Sequence, residues 1–163
     1  MATPQVRAYL DAHVVQGELE VKERRVSDFI SDPNVSLLLL EHATWQDMLA
    51  AADNTPAPAD LARVRKDLAR LIVPHDTPTV LAPRVATQPI AVHIGLGLYT
   101  VDGMIHRREG DSTPIDQHLR GAGRLFLPVS QAIIRYGPNG GFDTQVPVVL
   151  VNTTLVQYWT GPR

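Results

Sequence analysis

The same series of sequence patterns occurs twice in this chain, and such a repeat limits the possible folds more than composition does. Residues 6–14 read VRAYLDAHV, with Val6, Ala8, Leu10, Ala12 and Val14 on alternate positions. That is the period-two pattern of a half-buried strand. Residues 92–100, VHIGLGLYT, place Val92, Ile94, Leu96 and Leu98 in the same pattern 86 positions later. The same offset carries Val15-Gln16-Gly17 onto Val101-Asp102-Gly103, and Leu19 onto Ile105. A glycine within a strand marks a bulge or a bend. Its recurrence predicts one bent strand used twice.

Beyond the charged segments the offset becomes 89. VSDFIS (26–31) then meets IDQHLR (115–120), and LLLLEHATW (37–45) meets FLPVSQAII (126–134). The three extra residues fall in RREGDSTP (107–114), a loop-like stretch where length costs little. The closing segment LIVPHDTPTVL (71–81) resembles VVLVNTTLVQY (148–158) at an offset near 77. In the second half YGPNGGFD (136–143) supplies a Gly/Asn hairpin turn. In the first half, residues 45–70 read as a helical insertion. Thr44-Trp45-Gln46-Asp47 resembles a capping box, and Leu61, Val64, Leu68 and Leu71 recur at helical spacing. Each copy is thus expected to run strand, charged turn, short helix, strand, strand. The expected domains are 1–84 and 85–163. Sheets this small must curl to bury a face.

Three short motifs resemble known families. Val101, Gly103, Ile105 and His106, then RVSDFI (25–30), then FLPVSQA (126–132) resemble a family of short bacterial β-barrel domains without an agreed activity. VLVNTTLVQY (149–158) is similar to the last strand of Sm-like barrels. The resemblance implies a mainly β chain with minor α: two fused small Sm-like or SH3-like β-barrels, related by an internal repeat, with the helical insertion in the first. The Sm-like likeness implies RNA binding and ring assembly. This chain lacks that family's glycine and basic residue in the closing strand.

Composition narrows the chemistry. Cysteine is absent, which removes disulfides, thiol catalysis and thiolate zinc sites. No apolar run is long enough to cross a membrane as a helix. The N-terminal residues lack the pattern of a secretory signal, so the expected location is the cytoplasm. Net charge is −2 overall. It is −3 over residues 1–84 and +1 over 85–163, so neither half attracts polyanions as a whole.

Six histidines form no H-x-x-x-H or H-E-x-x-H pair, and no metal or cofactor is expected. His106 and Glu20 hold equivalent positions, where a ligand or general base would differ between copies. RGAGR (120–124) fits half of a PilZ-type cyclic-dinucleotide site, and the other half is absent. Two charged turns remain as binding candidates: Lys22, Arg24 and Arg25 in the first copy, and His106, Arg107 and Arg108 in the second. They would suit a phosphate backbone. The expected function is a non-catalytic interaction or scaffold module that binds a protein partner or itself. Nucleic-acid or nucleotide binding is the alternative, and a self-assembling structural protein the third.

Overall fold

The structure is a computed structural model that describes residues 3–22, 24–49, 55–75, 86–120, 124–137 and 142–162. The chain is mainly β, with two short helices, and divides into two compact units, Met1–Thr77 and Pro78–Arg163.

Unit 1 contains β1 (Gln5–Tyr9), β2 (His13–Leu19), α1 (Val26–Ser31), β3 (Leu37–Asp47), β4 (Ala57–Arg65), a 3-10 turn (Lys66–Leu68) and β5 (Leu71–His75). Its strands lie antiparallel in the order β5-β1-β2-β3-β4. Val6, Ala8, Leu19, Leu38, Leu40 and Val64 point from these strands into a core that Val26 and Ile30 of α1 cover. Lys66 is 3 % exposed, and its Nζ donates to the Asp32 carbonyl oxygen at 2.6 Å. Loss of hydration there holds this ammonium group below the usual lysine range, against the pull of the Asp32 charge.

Unit 2 contains β6 (Thr87–Leu96), β7 (Tyr99–Arg108), α2 (Ile115–Leu119), β8 (Phe126–Tyr136), β9 (Asp143–Asn152), a second 3-10 turn (Thr153–Leu155) and β10 (Tyr158–Thr160). The antiparallel order is β10-β6-β7-β8-β9. Val92, Ile94, Val101, Ile105, Phe126 and Ile134 form the core beneath Leu119 of α2. Thr153 stands where unit 1 has Lys66, and its Oγ1 donates toward the carbonyl oxygens of Arg124 and Leu125, both at 3.0 Å.

Both expected helices are present, and both central glycines face bulges. Gln16 pairs with Thr44 and Glu18 with Glu41, so His42 and Ala43 together oppose Gly17. Asp102 pairs with Ile133 and Met104 with Ser130, so Gln131 and Ala132 oppose Gly103. The extra residue is accommodated by a left-handed backbone, φ 47° at His42 and φ 49° at Gln131. The glycines allow the close approach. A Cβ on Gly103 would stand 2.5 Å from Val129 Cγ1 and 2.8 Å from the Ser130 carbonyl oxygen.

Four expectations are corrected. Among the described residues of 45–70 there is no α-helical insertion, only the 3-10 turn Lys66–Leu68: β3 runs on through Asp47, and Ala57–Arg65 is strand β4, paired with β3 from Leu37↔Arg65 to Trp45↔Ala57. The helical spacing is outweighed by alternation along β4, in which Val64 is buried while Leu61 is exposed. Pro58 also suits an edge strand better than a helix interior. The supposed capping box lies inside β3. Residues 50–54 fall outside the described residues.

The final alignment fails for the same reason. By element order β5 corresponds to β10, and VVLVN belongs to β9, the counterpart of β4. Residues 76–81 of that alignment are not described.

The single bent strand at each start is two strands. The chain turns between Tyr9 and His13, and again at Gly97, whose φ is +63°. The second charged turn is itself strand: His106, Arg107 and Arg108 belong to β7.

Barrel closure is not observed. Among the described residues no pairing joins β4 to β5 or β9 to β10, so neither unit's sheet closes on itself. No helix among them is long and apolar enough to cross a membrane.

Candidate functional site

Unit 2 gathers its chemically capable side chains on the face of β6, β7 and β8 opposite the core. Alternation produces this face. Ile90, Val92 and Ile94 of β6 point inward, so Pro89, Ala91 and His93 point outward. The register sets them opposite His106, Met104 and Asp102 of β7.

At one end, His93 Nδ1 lies 2.7 Å from Asp102 Oδ1. Arg135 of β8 donates from Nη1 to the other Asp102 oxygen and lies 3.6 Å from Asp143 of β9. His93 Nε2 faces the Tyr158 hydroxyl of β10 at 3.4 Å. One polar residue from each of the five strands thus forms a row across the sheet. Partial burial alone would raise the Asp102 carboxyl, but hydrogen bonds from His93 and Arg135, and their charges, hold it below its ordinary range. A carboxyl lowered on folding stabilises the fold above its unfolded-state value, and that contribution is lost as pH falls through the folded-state value. We therefore expect unit 2 to lose stability below about pH 4, and Asp102→Asn to flatten that loss. Urea melts from pH 6 to pH 2, followed by Trp159 fluorescence in a Trp45→Phe background, measure it. Equal acid slopes in both proteins would contradict the assignment.

At the other end, His106 Nε2 lies 2.6 Å from Ser130 Oγ of β8, and His106 Nδ1 lies 3.3 Å from Thr87 Oγ1 of β6. Ser130 Oγ also lies 3.3 Å from the Met104 carbonyl oxygen. Ser130 immediately precedes left-handed Gln131.

The charged residues singled out from sequence take several roles. Lys22 is exposed beside Glu20, at 3.9 Å. Arg24 donates to Asp32 at 2.8 Å. Arg25 is exposed at the N-terminal cap of α1. Arg107 turns toward the loop after β7. Its Nη1 donates to the Thr113 carbonyl oxygen at 3.4 Å, and its Nε is buried with no hydrogen-bond partner among the described residues. The nearby Asp111 carboxyl is held low first by its hydrogen bonds with Thr113, then by the charges of His118 and Arg107. Arg108 is exposed opposite Thr87, and His106 lies between two hydroxyl side chains, Ser130 and Thr87.

Sequence reading did not pair His106 with Ser130. The residues lie 24 positions apart, and only the register of β7 with β8 brings them together. His93 with Asp102 was accessible in principle, as two outward positions flanking a hairpin turn. Among the described residues no three potential ligands converge on a metal position. RGAGR is described only at Arg120 and Arg124. Comparison of the chain with protein-family models, curated proteins and solved structures finds no match.

Proposed function

We propose that the protein is an interaction module built from two copies of one small barrel-type unit, and that it associates with a second copy of itself through β4. The repeat reading is supported by the shared element order, the shared strand order and the matching glycine bulges.

One observation carries the interaction reading. Among the described residues β4 has β3 as its sole hydrogen-bonded neighbour, and exposed leucines lie on the outer face of β3 and β4. Leu37, Leu39 and Leu61 are 43 %, 49 % and 38 % exposed. An unpaired strand edge offers backbone donors and acceptors to another strand.

The β4 sequence suits its own copy. Antiparallel pairing about Leu61 sets Leu61 against Leu61, Ala59 against Arg63, Ala57 against Arg65, Pro58 against Val64 and Asp60 against Ala62. No like charges oppose one another. The leucines of both copies fall on one continuous face, as an isologous two-fold contact requires. Nucleic-acid binding has weaker support, because Arg24 and Arg107 are already engaged within the fold.

Light scattering coupled to size exclusion tests the proposal. The protein should elute as a dimer at tens of micromolar, and Leu61→Lys, which brings two ammonium groups together, should elute as a monomer with unchanged circular dichroism. A monomeric parent protein, or a dimer indifferent to Leu61→Lys, would overturn the reading.

A further inference from the structure

We propose that Ser130 is an activated nucleophile, with His106 as its general base and Thr87 as a positioning residue, and that unit 2 acts on small carboxylic esters. This site is separate from the β4 edge and does not depend on it.

The arrangement meets the requirements of nucleophilic catalysis by a hydroxyl. The nucleophile must lie within hydrogen-bond reach of a base, and a third group must hold the base in the correct tautomer. Ser130 Oγ is 2.6 Å from His106 Nε2, and Thr87 Oγ1 is 3.3 Å from Nδ1. With the Nδ1 proton donated to Thr87, Nε2 accepts the serine proton. The three residues come from adjacent strands β8, β7 and β6, whose register fixes them on one face.

The backbone supplies a further element. Gln131 directly follows the serine, has a left-handed backbone and stands outside the register of β7. Its amide, the first N–H after the nucleophile, is the donor we assign to an oxyanion forming beside Ser130 Oγ. Pro89, Ala91 and Met104 share the face and give a short acyl group an apolar floor. Arg108, opposite Thr87, adds positive charge to the same face.

A comparison within the chain separates this cluster from the needs of the fold. Unit 1 has the same bulge, with Gly17 opposite His42 and Ala43, yet carries Glu41 where unit 2 has Ser130 and Glu20 where it has His106. The bulge therefore forms without a serine–histidine pair.

The reaction balances as hydrolysis. Ser130 Oγ bonds to the ester carbonyl carbon while its proton passes to His106 Nε2. The carbon–oxygen bond to the alcohol breaks, and the alcohol leaves with that proton. Water then attacks the acyl-serine, gives one proton to His106 and releases the carboxylic acid, and the proton returns to Ser130.

A fluorophosphonate probe tests the nucleophile directly, because Oγ displaces fluoride from phosphorus and leaves a stable adduct. Mass spectrometry should locate the adduct on Ser130. His106→Ala should slow labelling by about 100-fold or more. Thr87→Val should slow it and Thr87→Ser restore it, which a purely structural role for Thr87 would not produce. p-Nitrophenyl acetate hydrolysis should fall in the same order. Absence of a Ser130 adduct in the parent protein, or labelling at an unchanged rate in folded His106→Ala, would overturn the proposal.

Discussion

Replacing Gly103 with alanine is expected to destabilise unit 2 by about 3 kcal/mol, the upper end of the cost of overpacking. The added methyl would meet Val129 Cγ1 at 2.5 Å and the Ser130 carbonyl oxygen at 2.8 Å. The valine can rotate, but the carbonyl cannot move without unseating the bulge. Gly17→Ala should act alike in unit 1, where the new Cβ would lie 2.8 Å from Leu40 Cβ and 2.9 Å from the Glu41 carbonyl oxygen. Gly161→Ala is the control, since its closest contact, the Ala91 carbonyl oxygen, is at 3.3 Å. The chain has two tryptophans, Trp45 in unit 1 and Trp159 in unit 2. Denaturant melts of single-tryptophan backgrounds therefore report each unit separately. A Gly103→Ala protein as stable as its parent would show that the approach of β7 to β8 is not tight.

The second large effect is an asymmetry between corresponding positions. Leu37 opens β3 and Phe126 opens β8, yet Leu37 is 43 % exposed and Phe126 is 0 % exposed. Phe126→Ala should cost about 3–5 kcal/mol, because it removes a buried ring and leaves a cavity. Leu37→Ala should change unit 1 by no more than about 0.5 kcal/mol. Urea midpoints of the two variants give the comparison. Equal losses would mean that Leu37 is covered in solution, and light scattering on the same sample would show whether the cover is a second copy.

These positions also explain how far the sequence was readable. The glycines at 17 and 103 stand out because nothing else tolerates that approach, and the two helices because Val26 and Ile30, then Leu119, must reach a core. Strand β4 was misread because its alternation is short, while Leu61, Val64, Leu68 and Leu71 keep helical spacing across β4, the 3-10 turn and the start of β5. Alanine and arginine tolerate either state, and what decides is pairing with β3, a contact that local sequence does not encode. That error displaced the last strand of unit 1 onto β9. The turns after β1 and β6 were missed because alternation continues in phase through Leu10 and Leu98. The candidate site was hidden for a related reason: Ser130 and His106 meet through a register set by a bulge, and the left-handed residue that makes the bulge is Gln131, not a glycine.

Strand β10 has three residues and is held at few points: its register with β6, the Trp159 Nε1 hydrogen bond to Asp116 at 2.8 Å, and the Tyr158 ring lying over Gly95. So short a strand has little cooperativity of its own and should detach before the rest of unit 2 opens. Its amides would then exchange with solvent earliest among the strands of that unit, and its departure would bare the outer hydrogen-bonding side of β6 while uncovering His93. Unit 2 thus carries a detachable strip whose loss would turn a protected strand into an adhesive one, and proteases that nick the segment before Tyr158 would set how often that happens.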